Sequence, residues 1–252
     1  MLNFNQFEVV SFDCYGTLID WERGILPVLR QLLSSREIDL SDDATLELFA
    51  EFESEFKKSE YNYIKYREIW QQIVQQFGKI FIFERTETEV KCLSESIKNW
   101  QPFPDIVAAL AALKQKYKLA VISNIDNDLF ADTAKHLKVE LDWLITAKQV
   151  RSYKPSTRNF EIALATMGIA PEKLLHVAQS VYHDIVPAVS MGISTVWGNR
   201  RHEKTGFGAT LPASGQPDLA VPDLKTLVEA IGSKKSQIDI KSGSIGITAD
   251  FR

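Results

Sequence analysis

The chain has 252 residues, 45% of them hydrophobic and 25% charged. That is ordinary globular composition, long enough for one domain with an insertion or for two small domains. The formal net charge of -4 excludes the basic field that nucleic acid or an anionic membrane surface selects. Its two cysteines, Cys14 and Cys92, form neither a disulfide framework nor a metal cluster, so a reducing, cytoplasmic setting is expected.

In chain order, the start "MLNFNQFE" lacks the charged and apolar blocks of a signal peptide. No apolar run approaches the ~20 residues of a transmembrane helix. Residues 7–12 read as a short apolar strand that ends at Asp13, with Gly16 and Thr17 just beyond. From about Trp21 to Trp100 the pattern is amphipathic helix throughout, clearest in "GILPVLRQLLSSR", "DATLELFAEFESEFKKS" and "YIKYREIWQQIVQQFG". Pro102 and Pro104 in "NWQPFPD" turn the chain away from helix. Further strands are predicted over 118–124, 141–147, 173–179 and 193–198, with helical stretches between them. These strands are β-branched and apolar on both faces, as in a covered parallel sheet. The expected fold is α/β, a Rossmann-like parallel sheet core built from 1–20 and 101–232. The helical block 21–100 reads as an inserted cap, and the polar, Gly/Ser-rich 233–252 as a loose tail.

Ligands of open parallel sheets bind beyond the C-terminal strand ends. Those ends carry Asp13, then Ser123 and Asn124, then Lys154 in "SYKPS", then Gln179, Ser180 and Asp184 in "AQSVYHD". Singly, each suits a helix cap or a turn. Together, at successive strand ends, two acids and one lysine point to a site. Asp13 is expected to be ionised beside Lys154, with Asp184 orienting the lysine. Arg200 and Arg201, after the fifth strand, emerge near the same rim. They read either as a clamp for a substrate carboxylate or as a solvated basic loop. His183 is the histidine with a claim on function, and three tyrosines in "SEYNYIKYREIW" read as cap packing or cleft lining.

"FDCYGTLID", "ISN", "YKP" and "AQSVYHDIVPA" resemble the four ordered motifs of the haloacid dehalogenase superfamily, over roughly residues 7–230. Tyr15 in the first motif resembles the (S)-2-haloacid dehalogenase branch. The resemblance implies a hydrolase in which Asp13 displaces a leaving group at carbon and forms an aspartyl ester that water then cleaves. Lys154, Asp184, Thr17 and Ser123 are the implied catalytic partners. Tyr15, Asn124, Ser180, His183, Arg200 and Arg201 are the candidate substrate contacts. Phosphatases of the superfamily hold Mg²⁺ and use a second motif-one aspartate. Tyr15 and Gln179 stand at those acidic positions here, which points to chemistry without a metal or other cofactor.

Three further features depart from the dehalogenase pattern. "FAEFESEFKKSE" shows no counterpart of the cap arginine, Val181 replaces a motif-four asparagine, and Phe160 replaces a tyrosine. The competing readings are therefore a hydrolase of a strained ring amino acid such as azetidine-2-carboxylate, a Mg²⁺-dependent phosphatase, and a catalytically idle binding protein. In the ring-opening reading Tyr15, Tyr182 or His183 protonates the leaving nitrogen. The expected partner is a small carboxylate substrate, with a homodimer as the assembly in view and neither nucleic acid nor membrane.

Overall fold

The structure is a computed structural model of the chain and describes residues 2–58 and 63–233. Six parallel strands form one sheet in the order β3-β2-β1-β4-β5-β6. They are β1 (Val9–Phe12), β2 (Lys118–Ser123), β3 (Trp143–Thr146), β4 (Leu174–Ala178), β5 (Ser194–Gly198) and β6 (Leu219–Val221). The first five lie where the sequence predicts them, with trimmed ends. The sixth, "LAV" between Asp218 and Pro222, is too short to show a period. It forms by pairing Val196, Trp197 and Gly198 of β5 with Leu219, Ala220 and Val221.

The pleat sorts side chains onto two apolar layers. Val10 and Phe12 of β1 and Leu175 and Val177 of β4 join the larger core. Val9 and Leu174 face the other side, with Ile122, Phe160 and Ala188. Ser11 and His176 occupy that second face as direct register partners on neighbouring strands. A polar pair thus sits between two apolar strands, close to their C-terminal ends.

Between β1 and β2 the described residues make five α-helices: α1 (Trp21–Ser34), α2 (Asp42–Lys57), α3 (Tyr66–Ile80) and α4 (Glu87–Ser96) in the inserted block, then α5 (Ile106–Lys114), which leads back to the sheet. Asp20 and Ser41 cap α1 and α2, and Thr86 with Glu89 forms a capping box on α4. Their apolar stripes meet in an aromatic core. Phe49 packs edge-on to Trp21 and to Trp70, with ring centroids 5.8 Å apart in each case. The segment enters and leaves side by side. Asp20 N–H donates to Gln101 O (3.0 Å) and Phe103 N–H to Leu18 O (3.0 Å).

The helices are tied down over the strand ends. Tyr153 donates to Ile64 O (2.6 Å), and Tyr63 to Asp126 Oδ1 (3.1 Å). The Arg67 guanidinium pairs with Asp128 (2.9 Å). The expected loose tail falls, apart from Ser233, outside the described residues. Among the described residues, no helix is long and apolar enough to cross a membrane.

Candidate active site

Parallel register brings the C-terminal ends of β1, β2 and β4 to one rim. Residues 141 positions apart in sequence therefore meet there. Lys154 Nζ donates to Asp13 Oδ1 (2.9 Å), to Ile122 O (2.8 Å) and to Asp184 Oδ1. Its residue is only 1% exposed, so all three ammonium protons are spent inside the protein. The loop holding it is fixed by Asn124. That side chain accepts from Lys154 N–H (2.8 Å) and donates to Lys154 O (3.1 Å). Asn124 therefore positions the lysine loop through both polar atoms of its amide.

Asp13 Oδ2 accepts from the Thr17 hydroxyl (3.2 Å), and Thr17 in turn accepts from Gln179 N–H (2.9 Å). Gly16, at φ +92°, lets the chain turn tightly enough for Thr17 to reach back. Burial pushes the Asp13 carboxyl above the ordinary aspartate range; the charge of Lys154 opposes that shift and Asp184 adds to it. Desolvation works against the Lys154 ammonium too, but Asp13 and then Asp184 outweigh it and raise its pKa. Asp184 is buried as well, yet Lys154 and His176 bring it down to about 2.

His176 shows no role in the sequence, where His183 is the histidine singled out. Its Nε2 lies 2.9 Å from Asp184 Oδ1, and its Nδ1 2.8 Å from Ser11 Oγ. A carboxylate can only accept, so Nε2 carries a proton toward Asp184. The signal for this contact is the register of β1 and β4, which no local pattern contains. The second Asp184 oxygen, Oδ2, is buried without a hydrogen-bond partner among the described residues.

A cavity of about 320 Å³, part of it open to solvent, lies over this rim. Asp13, Lys154, Asp184, Ser123 and Ser180 line it from the sheet, and Trp21, Glu53 and Tyr66 from the helices above. His183 lines it too, and burial drives its imidazole well below the ordinary histidine pKa. Ser180 accepts from His183 N–H (2.9 Å) and caps the π-helical turn Val181–Ile185 that aims Asp184. Tyr15 reaches the cavity, while its hydroxyl pairs with Thr133 (2.6 Å) and burial raises its pKa well above normal. Its proton is thus held in the core.

The expectation for the two arginines is corrected. Neither lines the cavity, and neither is a solvated loop residue. Arg200 forks onto Asp105 (2.9 and 3.1 Å) and onto Thr17 O. Arg201 holds both oxygens of Glu22 (2.7 and 2.5 Å). Their charges are paired with acids at 13% and 10% side-chain exposure, away from the residues that line the cavity. Tyr182 packs edge-on against His183 and does not line the cavity.

The cap segment that shows no counterpart of an arginine does carry a buried cation. Lys57 pairs with Glu53 (2.7 Å) at 7% and 2% side-chain exposure. Tyr66 donates to the same Glu53 oxygen. Among the described residues, no three His, Cys, Asp or Glu side chains converge as a metal set. Asp13 and Asp184 share Lys154, and the Gln179 amide oxygen accepts from Thr210 (3.4 Å). That donor set does not suit a hard divalent cation.

Known proteins bear out the motif reading. The chain is 26% identical over 233 residues to haloacetate dehalogenase H-2 of Moraxella sp. (strain B), covering 90% of this chain and 98% of the relative. It is 27% identical over 199 residues to (S)-2-haloacid dehalogenase 1 of Pseudomonas sp. (strain CBS-3), covering 75% and 83%. The L-2-haloacid dehalogenase structure from Xanthobacter autotrophicus superposes with a TM-score of 0.73 at 18% identity, covering 91% of this chain and 100% of that one. A family model described as haloacid dehalogenase-like hydrolase matches residues 7–192. With that match across most of its length, and the four motifs folded onto one rim, the chain belongs to the haloacid dehalogenase-like hydrolases.

Proposed function

We propose that the protein displaces a leaving group from C2 of a small 2-substituted carboxylic acid, as a hydrolase of the 2-haloacid dehalogenase type. The observation that carries this reading is the state of Asp13. One oxygen is held by Lys154 and the other by Thr17, and the side chain lines the cavity over the strand ends. A carboxylate is a weak nucleophile unless it is desolvated and aimed, and this one is both. The activities named for the two curated relatives agree with it.

In the first step an Asp13 oxygen attacks C2. The C2–X bond breaks and X leaves with the bonding electrons, so an aspartyl ester forms. Ser123, lining the cavity, donates to the substrate carboxylate. In the second step water adds to the Asp13 carbonyl carbon. Asp184 Oδ2, buried and without a hydrogen-bond partner among the described residues, takes the water proton. Collapse breaks the ester C–O bond, the departing substrate oxygen takes the proton of the added hydroxyl, and the Asp13 carboxylate and a 2-hydroxy acid result; Asp184 then gives its proton to solvent, balancing the released X⁻. Lys154 pairs with the Asp13 carboxylate before attack and with Asp184 while the ester stands, and its charge favours the oxyanion formed when water adds. Thr17 and the Asn124-fixed loop keep the geometry. We also place the protein in a reducing, cytoplasmic compartment, where buried Cys14 and part-buried Cys92 remain free thiols.

The test is one turnover of 2-chloropropionate in H₂¹⁸O. The first product should keep ordinary oxygen, with ¹⁸O on the peptide containing Asp13. Label passing directly into product rules out the ester. Release of phosphate from p-nitrophenyl phosphate, abolished by EDTA, would instead establish the metal-dependent reading.

A further inference from the structure

Glu53 lies inside the apolar stripe of α2, one helical turn from Phe49 and from Phe56, and is 1% exposed. A buried carboxylate is costly unless it is paired or used. Its Oε1 takes both Lys57 and Tyr66. Oε2 has no hydrogen-bond donor among the described residues, and Glu53 lines the cavity opposite Asp13. Lys57 does not line it; its ammonium lies over the rings of Tyr66 and Tyr153 (5.3 and 5.8 Å).

The charges that surround the cavity are unequal. Among the described residues, Asp13, Glu53 and Asp184 line it against the single cation Lys154. Lys57 behind Glu53 offsets one more. Both nearby arginines are taken by Asp105 and Glu22, and burial keeps His183 uncharged at neutral pH. A substrate bearing only a carboxylate adds negative charge to a buried site that is already negative. A substrate with an ammonium group beside its carboxylate does not. We propose that Glu53 is the anchor for a cationic ammonium on the substrate, which makes the preferred substrates 2-substituted acids that also carry an amine. This rests on the hydrolase reading for the bond that is broken, but the anchor is a binding claim and can be tested apart from turnover. An ammonium–carboxylate contact in such surroundings is a charge-assisted hydrogen bond, stronger than a neutral one.

The products of such a reaction are 2-hydroxy acids, so product-like ligands report the site. Titration calorimetry would compare lactate with 3-amino-2-hydroxypropanoate and 4-amino-2-hydroxybutanoate. The parent protein should bind the better of the two amino acids at least tenfold more tightly than lactate. In Glu53→Gln that ratio should fall to near one. The double variant Glu53→Gln, Lys57→Met removes both charges of the buried pair, should show the same collapse, and serves if the single variant folds poorly. A parent ratio near one overturns the proposal, as does a ratio that survives in either variant. Failure of the ¹⁸O experiment with the ratio intact would remove the aspartyl-ester reading and leave the anchor standing.

Discussion

Replacing Lys154 by methionine keeps most of the volume and removes the charge that Asp13 and Asp184 share. At 2.9 Å and an effective dielectric near 20, the Lys154–Asp13 attraction alone is about 6 kcal/mol. Desolvation of the lysine offsets part of that. Breaking a buried ion pair from one side costs about 3–5 kcal/mol, because the surviving charge stays buried. Here two carboxylates survive, so the upper half of that range is expected. For a protein of this size it lowers the thermal midpoint by on the order of 10 °C. The deficit depends on pH in a known direction. Without the lysine, both acids have folded pKa values above their unfolded ones. The folded state then binds protons more tightly, so the deficit is full at neutral pH and shrinks as pH falls toward the unfolded values. Urea unfolding of parent and variant at pH 7 and pH 4.5 measures both quantities. A variant within 1 kcal/mol of the parent at pH 7, or an equal deficit at both pH values, refutes the claim that Lys154 is the charge holding the two acids in place.

Asp13→Asn should retain the fold and lose turnover by at least about a thousandfold, since an amide is no nucleophile; steady-state halide release and circular dichroism check the two halves. The acid limb of kcat/KM should lie above the ordinary aspartate value, because burial raises Asp13 and the attacking form is the ionised one. A limb at or below 3.8 would contradict that shift. Arg201→Ala should lower stability by about 1–3 kcal/mol, since Glu22 loses two charge-assisted hydrogen bonds and keeps only Lys204 at 3.1 Å, and leave KM nearly unchanged; a tenfold rise in KM would return Arg201 to the substrate. Gly24→Ala should destabilise the protein by about 1–3 kcal/mol in a thermal melt, since a Cβ there would lie 2.3 Å from the Trp100 ring.

Much of this site is legible before folding because a parallel sheet obeys a simple geometric rule. Asp13, Ser123 and Asp184 are found by looking at or just past the C-terminal end of an apolar strand, and Lys154 lies in the loop after the third. Strand ends then converge without any further information. The helical block between Trp21 and Trp100 is legible for a similar reason, since its apolar residues repeat at helical spacing. Even Glu53 leaves a trace, as an acid inside the stripe of Phe49, Phe52 and Phe56. Its partners do not, and neither α4 nor the three-residue β6 stands out, because each is short or weakly patterned.

Composition and period by themselves determined an α/β chain with a helical insertion and an aspartate–lysine pair at its strand ends, and the resemblance carried by its four ordered motifs implied a hydrolase. They act through the local chain and through one general rule of sheet topology. Only the tertiary structure decided which charges are free. Arg200 meets Asp105 across 95 residues and Arg201 meets Glu22 across 179, while His176 meets Ser11 through strand register. Electrostatic pairing depends on distance in space, and a basic dipeptide reads the same whether its partner is a substrate or a buried acid.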